Sequence, residues 1–269
     1  MRVTAREALA EAEARLAAAG IETPRTDAEW LVAHLLGTTR SGIAAHLDDE
    51  VQGLEPLLAR RETREPLAYV VGEWGFRRLT LKTDARALVP RPETETLVER
   101  ALALAEGIER PRILDVGVGS GAIALALKDE RPDAQVTGVD VSVGALALAR
   151  ENAERLGLDL EVSVARGLPE SVEAEEVDLV IANMPYVTDE TIFDRSPEIQ
   201  KEPRIAVTGD CGEDGLGVIR SVIDSTPSGW KMAMEHDTHH GPAMRELLRE
   251  ATTLQDYEGD DRVTVGLAP

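Results

Sequence analysis

The chain has little of what builds disulfides, metal clusters or base-stacking surfaces. Of its 269 residues only Cys211 is a cysteine, which excludes an internal disulfide and any zinc site made of paired cysteines. Two Phe, three Trp and three Tyr bring the aromatics to 3 %, so platforms on which nucleotide bases could stack are few. Lysine is scarce as well, limited to Lys82, Lys128, Lys201 and Lys231. The 29 basic residues face 50 acidic ones, for a formal net charge of −21. Such a surface repels phosphate groups and disfavours a sequence-independent grip on DNA or RNA. No apolar run approaches the ~20 residues that span a bilayer. The opening MRVTAREALAEAEARLAAAG alternates charge with alanine and has no apolar signal-peptide core. We therefore expect a cytoplasmic protein with no membrane partner and no direct nucleic-acid partner, acting as a monomer.

What the chain does contain is two periodicities. In the first, apolar positions recur every three or four residues. Thr4 and Glu7 have capping-box spacing, and Ala5, Leu9, Ala12 and Leu16 follow along one helical face until Gly20. Thr26 and Glu29 repeat the box ahead of Ala28, Leu31, Val32, Leu35 and Leu36, with Gly37 as the stop. A third stretch through Val51, Leu54, Leu57 and Leu58 ends on Arg60, Arg61 and Arg64, where a helix C-terminus favours bases. This pattern predicts a small helical bundle over residues 1–66. LAYVVGEWGFRRLTLK, residues 67–82, has strand-forming residues around Gly72 and Gly75 and predicts a β-hairpin, within a linker over 67–88. In PRPETE, residues 90–95, Pro92 suits a first helical position and Glu93 and Glu95 its positive end.

From residue 112 the second periodicity begins. RILDV reads as a strand and SGAIALALKDE as a helix; QVTGVD is followed by a helix through Leu146, Ala149 and Ala153 to Gly157. LEVSVA, VDLVIA and WKMAME read as further buried strands, and the segment from Tyr257 through RVTVGLA as a closing antiparallel hairpin. Strand and helix in alternation imply a parallel sheet covered on both faces.

Two motifs carry chemistry. Asp115-Val-Gly117-Val118-Gly119-Ser120-Gly121 joins a strand end to a helix start. Glycines there let the backbone turn sharply and lie close to a ligand below the helix N-terminus. Asp140 ends the next strand, where a carboxylate can accept both hydroxyls of a ribose. Gly117, Gly119 and Ala122 also satisfy a loose dinucleotide fingerprint. The acid two residues before the first glycine, and the third glycine at 121, suit S-adenosyl-L-methionine better.

Asn183-Met184-Pro185-Tyr186 follows VDLVIA at the carboxyl edge, where open α/β sheets bind substrates. A planar amide or aromatic amine is a poor nucleophile because its lone pair is delocalised. A site that methylates one must hold both N–H groups with acceptors and fix the plane. The Asn183 side-chain oxygen and the Met184 carbonyl can be those acceptors, and the Tyr186 ring can cover the flat face.

On these residues the chain resembles the HemK/PrmC family of protein-(glutamine-N5) methyltransferases over nearly its whole length. The resemblance rests on the helical start, REPLAYVVGEWGF, LVPRPETE, DVGVGSGAIALAL, VDVS, the NMPY tetrapeptide, EPRIAVTGDCGEDGLGVIR and DRVTVG. It implies a class I methyltransferase fold: a Rossmann-like, mostly parallel seven-stranded α/β sheet over residues 89–269, with a small N-terminal helical bundle that recognises substrate. It implies transfer of a methyl group to the glutamine of the Gly-Gly-Gln motif in peptide chain release factors. By resemblance, Asp115, Gly117 to Gly121, Asp140, Leu168 and Asn183 bind the donor, and Asn183 to Tyr186 grip the glutamine. The family tetrapeptide is Asn-Pro-Pro-Tyr, so Met184 replaces a proline. Near the adenine, where the family has an acid, this chain has Gly167 and Leu168.

Two rivals remain at this point, an adenine-N6 DNA methyltransferase and a donor-binding protein without catalysis. A nicotinamide-dependent oxidoreductase is a third, but would leave the Asn183 motif without a purpose. Glu235 to His240 places three imidazoles close together and is read as a polar loop, with no metal expected. Cys211 is read as a bystander.

Overall fold

A computed structural model describes residues 3–168 and 177–269. They fall into two compact units, Met1–Glu73 with Ser196–Lys201, and Trp74–Arg195 with Glu202–Pro269.

In the first unit, β1 (Val3–Thr4) leads into α1 (Ala5–Ala18) and α2 (Pro24–Leu36). β2 (Glu50–Val51) then returns antiparallel to β1, followed by α3 (Leu54–Glu62) and α4 (Leu67–Val71). The first capping box forms: Thr4 Oγ1 accepts the Glu7 N–H at 3.3 Å, and Glu7 Oε2 accepts the Thr4 N–H at 2.9 Å. The second does not. Pro24 opens α2 because its fixed φ suits a first helical position, so Thr26 falls inside the helix. The Thr23 hydroxyl instead donates to Asp27 at 2.9 Å.

Leu9, Leu16, Leu31, Val32 and Leu58 fill this unit's core. Beside them lies a buried ion pair, in which Arg61 Nε donates to Asp27 Oδ2 at 2.7 Å with both side chains about 5 % exposed. Arg61 also pairs with Glu198 at 2.7 Å, which ties Ser196–Lys201 into the same unit. Removing one partner of such a pair strands a buried charge, at ~3–5 kcal/mol.

Residues 67–71 correct the sequence reading. They form the helix α4, its Val70 N–H bonded to Pro66 O at 3.1 Å, and Gly72 in the left-handed region ends it. Burial of Ala68, Tyr69, Val70 and Val71 overrides their strand propensity. Only β3 (Glu73–Phe76) and β4 (Leu79–Lys82) pair as expected of the hairpin.

The second unit continues with α5 (Glu95–Leu104), β5 (Arg112–Val116), α6 (Ala122–Glu130), β6 (Gln135–Asp140), α7 (Val143–Leu156) and β7 (Glu161–Val164). After it come β8 (Leu179–Asn183), α8 (Arg204–Val207), α9 (Gly217–Ser225), β9 (Lys231–Glu235), α10 (Gly241–Leu247), β10 (Arg249–Gln255) and β11 (Asp261–Leu267). The seven-stranded sheet has the order β7-β6-β5-β8-β9-β11-β10. Its first five strands run parallel, and β11 is antiparallel to both neighbours.

Alternate side chains enter two layers, as strand geometry requires. Ile113, Ile181 and Ala233 pack with Leu125 and Val98, while Leu114, Val180 and Met232 pack with Ile219 and Met244. Two expectations needed correction. β7 is an edge strand with Val164 63 % exposed, so LEVSVA is not a buried strand. The closing hairpin begins at Arg249 rather than Tyr257; β10 is a half-exposed edge without a clean apolar alternation, which hid it.

β5 lies between β6 and β8, so the chain crosses over in opposite senses from it and opens a crevice at the carboxyl ends of the strands. Among the described residues no helix is long and apolar enough to cross a membrane.

Candidate active site

That crevice holds a cavity of about 300 Å³. One wall is the loop between β5 and α6. Gly117, Gly119 and Gly121 adopt φ of +80°, +55° and +85°, the left-handed region open to glycine at no steric cost. A Cβ on Gly117 would overlap the terminal methyl of Met184, whereas one on Gly119 would meet nothing nearer than 3.8 Å. The backbone is thus bare where the loop faces the cavity.

The loop is held by hydrogen bonds from its own backbone. The Gly117 and Val118 N–H groups both donate to Val139 O, at 2.8 and 3.0 Å. Asp140 Oδ2 accepts the Gly119 N–H at 3.0 Å, and Oδ1 accepts the Ser142 N–H at 2.8 Å. Asp140 is half-exposed and lines the cavity, and each oxygen, with one N–H bond accepted, keeps capacity to accept another.

Asp115 is different. It is fully buried behind the loop, off the cavity wall, and neither carboxylate oxygen meets a side-chain partner. Burial pushes its pKa from 3.8 up to about 7; the Ala124 N–H in the first turn of α6 opposes the shift, and the Asp140 charge adds to it. Gly121 and Leu168 also lie off the wall, while Gly167 is on it. The half-buried side chain of Leu168 packs into the sheet's second layer.

The opposite wall is the end of β8. Asn183, Met184 and Pro185 line the cavity. Asn183 Nδ2 donates to Thr94 Oγ1 at 3.1 Å, which leaves its side-chain oxygen available to accept. Pro185 seats against Gly209 at φ +49°, where a Cβ would come within 2.7 Å of Pro185 Cγ. Tyr186 is not on the cavity wall. Its ring meets His240 edge-on, centroids 6.3 Å apart at 77°, and burial raises the pKa of its hydroxyl.

The sequence reading missed three supporting residues. Thr94, 4 % exposed, sits inside PRPETE, whose sequence signals only a helix start. Glu202, also 4 % exposed, accepts the Val89 N–H at 2.8 Å and pairs with Arg91, fixing PRPETE to the Glu202-Pro203-Arg204 turn. Glu235 ends β9 in register with Asn183 and is 2 % exposed. Burial raises its pKa to about 7 against the opposing influence of Thr94, Arg262 and Asn183.

The remaining candidates hold structural places. Cys211 is buried, its Sγ donating to Val187 O at 3.1 Å, and burial raises its pKa away from reactivity. His236 bonds the Asp237 carbonyl at 2.8 Å and the Thr264 hydroxyl at 2.9 Å; His240 bonds the Asp214 carbonyl at 3.0 Å. Among the described residues no group of three His, Cys, Asp or Glu is placed to hold a metal.

The glycine wall fits a cationic methyl donor better than a dinucleotide. A pyrophosphate lying on this loop would face the Asp140 carboxylate. A sulfonium and an α-ammonium would be attracted by it.

Comparison with known proteins agrees. A PrmC N-terminal domain model matches residues 7–72, and a methyltransferase small domain model matches residues 94–198. The release factor glutamine methyltransferase of Deinococcus radiodurans is 39 % identical over 96 % of this chain and 96 % of its own. That of Vibrio cholerae is 38 % identical over 99 % and 97 %, and that of Xylella fastidiosa strain 9a5c 37 % over 95 % and 98 %. Among solved structures, the hMettl16 catalytic domain in complex with a MAT2A 3'UTR hairpin shares the fold alone. Its TM-score is 0.54 at 14 % identity, over 69 % of this chain and 73 % of that one. Near-full-length identity to these relatives, together with the donor loop and the Asn183 motif facing one cavity, places the chain in the release factor glutamine methyltransferase family, enzymes that use S-adenosyl-L-methionine.

Proposed function

We propose that this enzyme methylates the side-chain amide nitrogen of the glutamine in the Gly-Gly-Gln motif of a peptide chain release factor. The observation that carries the proposal is the Asn183 side chain, its nitrogen engaged by Thr94 and its oxygen left to accept beside the donor loop. S-adenosyl-L-methionine, when bound, supplies an electrophilic methyl group on a sulfonium. Asp140 would accept its ribose hydroxyls, the backbone of Gly117, Val118, Gly119 and Ser120 would lie along its amino-acid portion, and Gly167 would border its adenine. Asp115 would back the loop from behind, its carboxyl titrating near 7.

Asn183 Oδ1 and the Met184 carbonyl would each accept one N–H of the substrate amide. Their two dipoles favour the positive charge that grows on nitrogen as the N–C bond forms and the S–C bond breaks. The displaced electron pair stays on sulfur, and the amide loses its proton after transfer. Holding the nitrogen ~3–3.5 Å from the methyl carbon, in line with the departing sulfur, supplies much of the rate. Pro185 fixes the turn. Tyr186 follows that turn, its ring edge-on to His240.

Residues 1–66 would then recognise the release factor outside its glutamine motif, with 67–88 as the linker and 89–269 as the catalytic part. A substrate that works on ribosomes supports a cytoplasmic location, and the net charge of −21 supports the absence of a direct nucleic-acid partner. The test is methyl transfer to a release factor whose motif glutamine is replaced by alanine. Incorporation should vanish; undiminished incorporation contradicts the reading.

A further inference from the structure

The cavity wall is backed by Glu235, a buried carboxyl that no step above uses. Asn183 and Glu235 are register partners on the adjacent parallel strands β8 and β9, so their side chains project from the same face of the sheet. Thr94 comes in from the PRPETE turn, buried, with its hydroxyl oxygen accepting from Asn183 Nδ2 at 3.1 Å. Asn183 and Thr94 both line the cavity, and Glu235 lies behind them, 2 % exposed, with one carboxylate oxygen lacking any partner.

A side-chain amide has two nearly isosteric ends, and only one of them is useful here. To grip a substrate N–H, Asn183 must present its oxygen and hide its nitrogen. The Thr94 hydroxyl can accept from the amide nitrogen or donate to the amide oxygen, so Thr94 alone does not fix the amide. If the hydroxyl proton points at Asn183, the amide flips, and its oxygen turns inward. The buried Glu235 carboxylate, which takes hydrogen bonds from both the Thr94 hydroxyl and the Asn183 amide, removes the ambiguity, because it only accepts. It draws the hydroxyl proton toward itself, and the hydroxyl lone pairs then face Asn183.

We propose that Thr94 and Glu235 are positioning residues, forming a one-directional relay in which Glu235 holds the Asn183 amide nitrogen both directly and through the Thr94 hydroxyl and so locks its oxygen toward the acceptor nitrogen. The proposal rests on the reading that Asn183 grips the substrate amide. The relay works only while Glu235 is ionised, since its protonated carboxyl can donate to Thr94 and reverse the direction.

Burial sets that ionisation near pH 7. Arg262 on β11 favours the charged form, as do the Thr94 and Asn183 side chains, and Glu93 opposes it. Tyr186 also lies within electrostatic range. Arg262 is itself paired with Asp256 at 3.0 Å, so its charge is shared. Turnover at saturating donor and substrate should therefore rise with pH through about 7 and level off above it.

The experiment uses Glu235→Gln, Thr94→Val and Thr94→Ser beside Asn183→Ala in the full-length protein. Glu235→Gln keeps the shape but can donate to Thr94; it should lower kcat by roughly tenfold to a hundredfold and abolish the rise near pH 7. Thr94→Val should lose as much, Thr94→Ser should restore most of the rate, and Thr94→Val added to Glu235→Gln should cost little more. Side-chain amide NMR on the free protein gives a readout independent of turnover. The Asn183 NH₂ signals should titrate near pH 7 in the wild type and not in Glu235→Gln.

If Asn183→Ala is inactive while Glu235→Gln and Thr94→Val keep wild-type kcat and pH profile, the relay is wrong and the gripping role stands. If Asn183→Ala turns over normally, the gripping role itself fails. Should Glu235→Gln not fold, the Thr94→Val and Thr94→Ser pair decides, and equal rates for those two overturn the relay.

Discussion

The two walls of the cavity are built by different means. The donor wall is backbone: three glycines in left-handed conformations, two N–H groups on the Val139 carbonyl, and Asp140 tying Gly119 and Ser142. The acceptor wall is side chain. Asn183, Thr94 and Glu235 come from three separate segments, and Pro185 leans on Gly209 from a fourth. A backbone wall needs particular residue types at fixed local spacing, so it tolerates little change and is visible in one stretch of sequence. A side-chain wall needs an arrangement in space, and can absorb a replacement such as Met184 provided the carbonyl remains.

The comparison is broken most severely on the acceptor wall. Asn183→Ala should reduce kcat by about a hundredfold or more, the scale expected when a reacting group is misplaced by ~1 Å. Donor affinity, followed by calorimetry, should stay within a few fold.

On the donor wall, Asp115→Asn separates charge from shape. The unfolded chain ionises Asp115 near 3.8, but the folded protein waits until about 7. Between those values the folded state binds more protons, so stability falls as pH rises, fully so above 7 and not at all below 3.8. The amide variant would carry no such penalty. At pH 8, without donor, it should be more stable than the wild type by on the order of 1–3 kcal/mol, and the difference should vanish near pH 4. Urea denaturation at the two pH values measures it. Glu235 titrates over an overlapping range, so the wild-type slope should be reduced rather than abolished.

Asp140→Ala removes two charge-assisted bonds to the loop and the proposed ribose acceptor together, at ~1.5–3 kcal/mol for each bond lost. Donor affinity should fall at least tenfold with the fold intact, and an unchanged calorimetric Kd would remove Asp140 from the donor site.

Met184→Pro should have the smallest effect. Met184 precedes Pro185 and is already biased toward extended backbone. A proline at 184 would restrict Asn183 in turn, worth ~0.4–1 kcal/mol. It would also withdraw the methionine methyl from Gly117. Catalytic efficiency in single-turnover assays should change by no more than about fivefold. An inactive wild type rescued by orders of magnitude would mean that Met184 marks a dead site.

This difference between the walls also explains what the sequence disclosed. The strand-helix alternation from residue 112 revealed the parallel sheet because buried parallel strands are short apolar runs, and the glycines of 117–121 revealed the loop because few other residues can adopt that backbone. Edge elements were harder: β7 and β10 carry exposed side chains, and α4 is helical despite strand-forming residues because its burial prevails. At the site, Asn183 and Asp140 were legible as polar residues at strand ends. Thr94 and Glu235 were not, because their proximity arises only when β8 and β9 align and PRPETE folds across them. The motif suggested Tyr186 as a covering ring; its edge-on contact with His240 was not legible in the sequence.

The most direct test of the account is residue-level mapping of the methyl group by mass spectrometry. The intact protein is incubated with S-adenosyl-L-methionine and a release factor, with duplex DNA present as a competing acceptor. A single methyl group on the amide nitrogen of the Gly-Gly-Gln glutamine, absent when Asn183→Ala replaces the wild type, is the predicted result. Methyl groups on DNA adenines, or on another residue of the release factor, would contradict it.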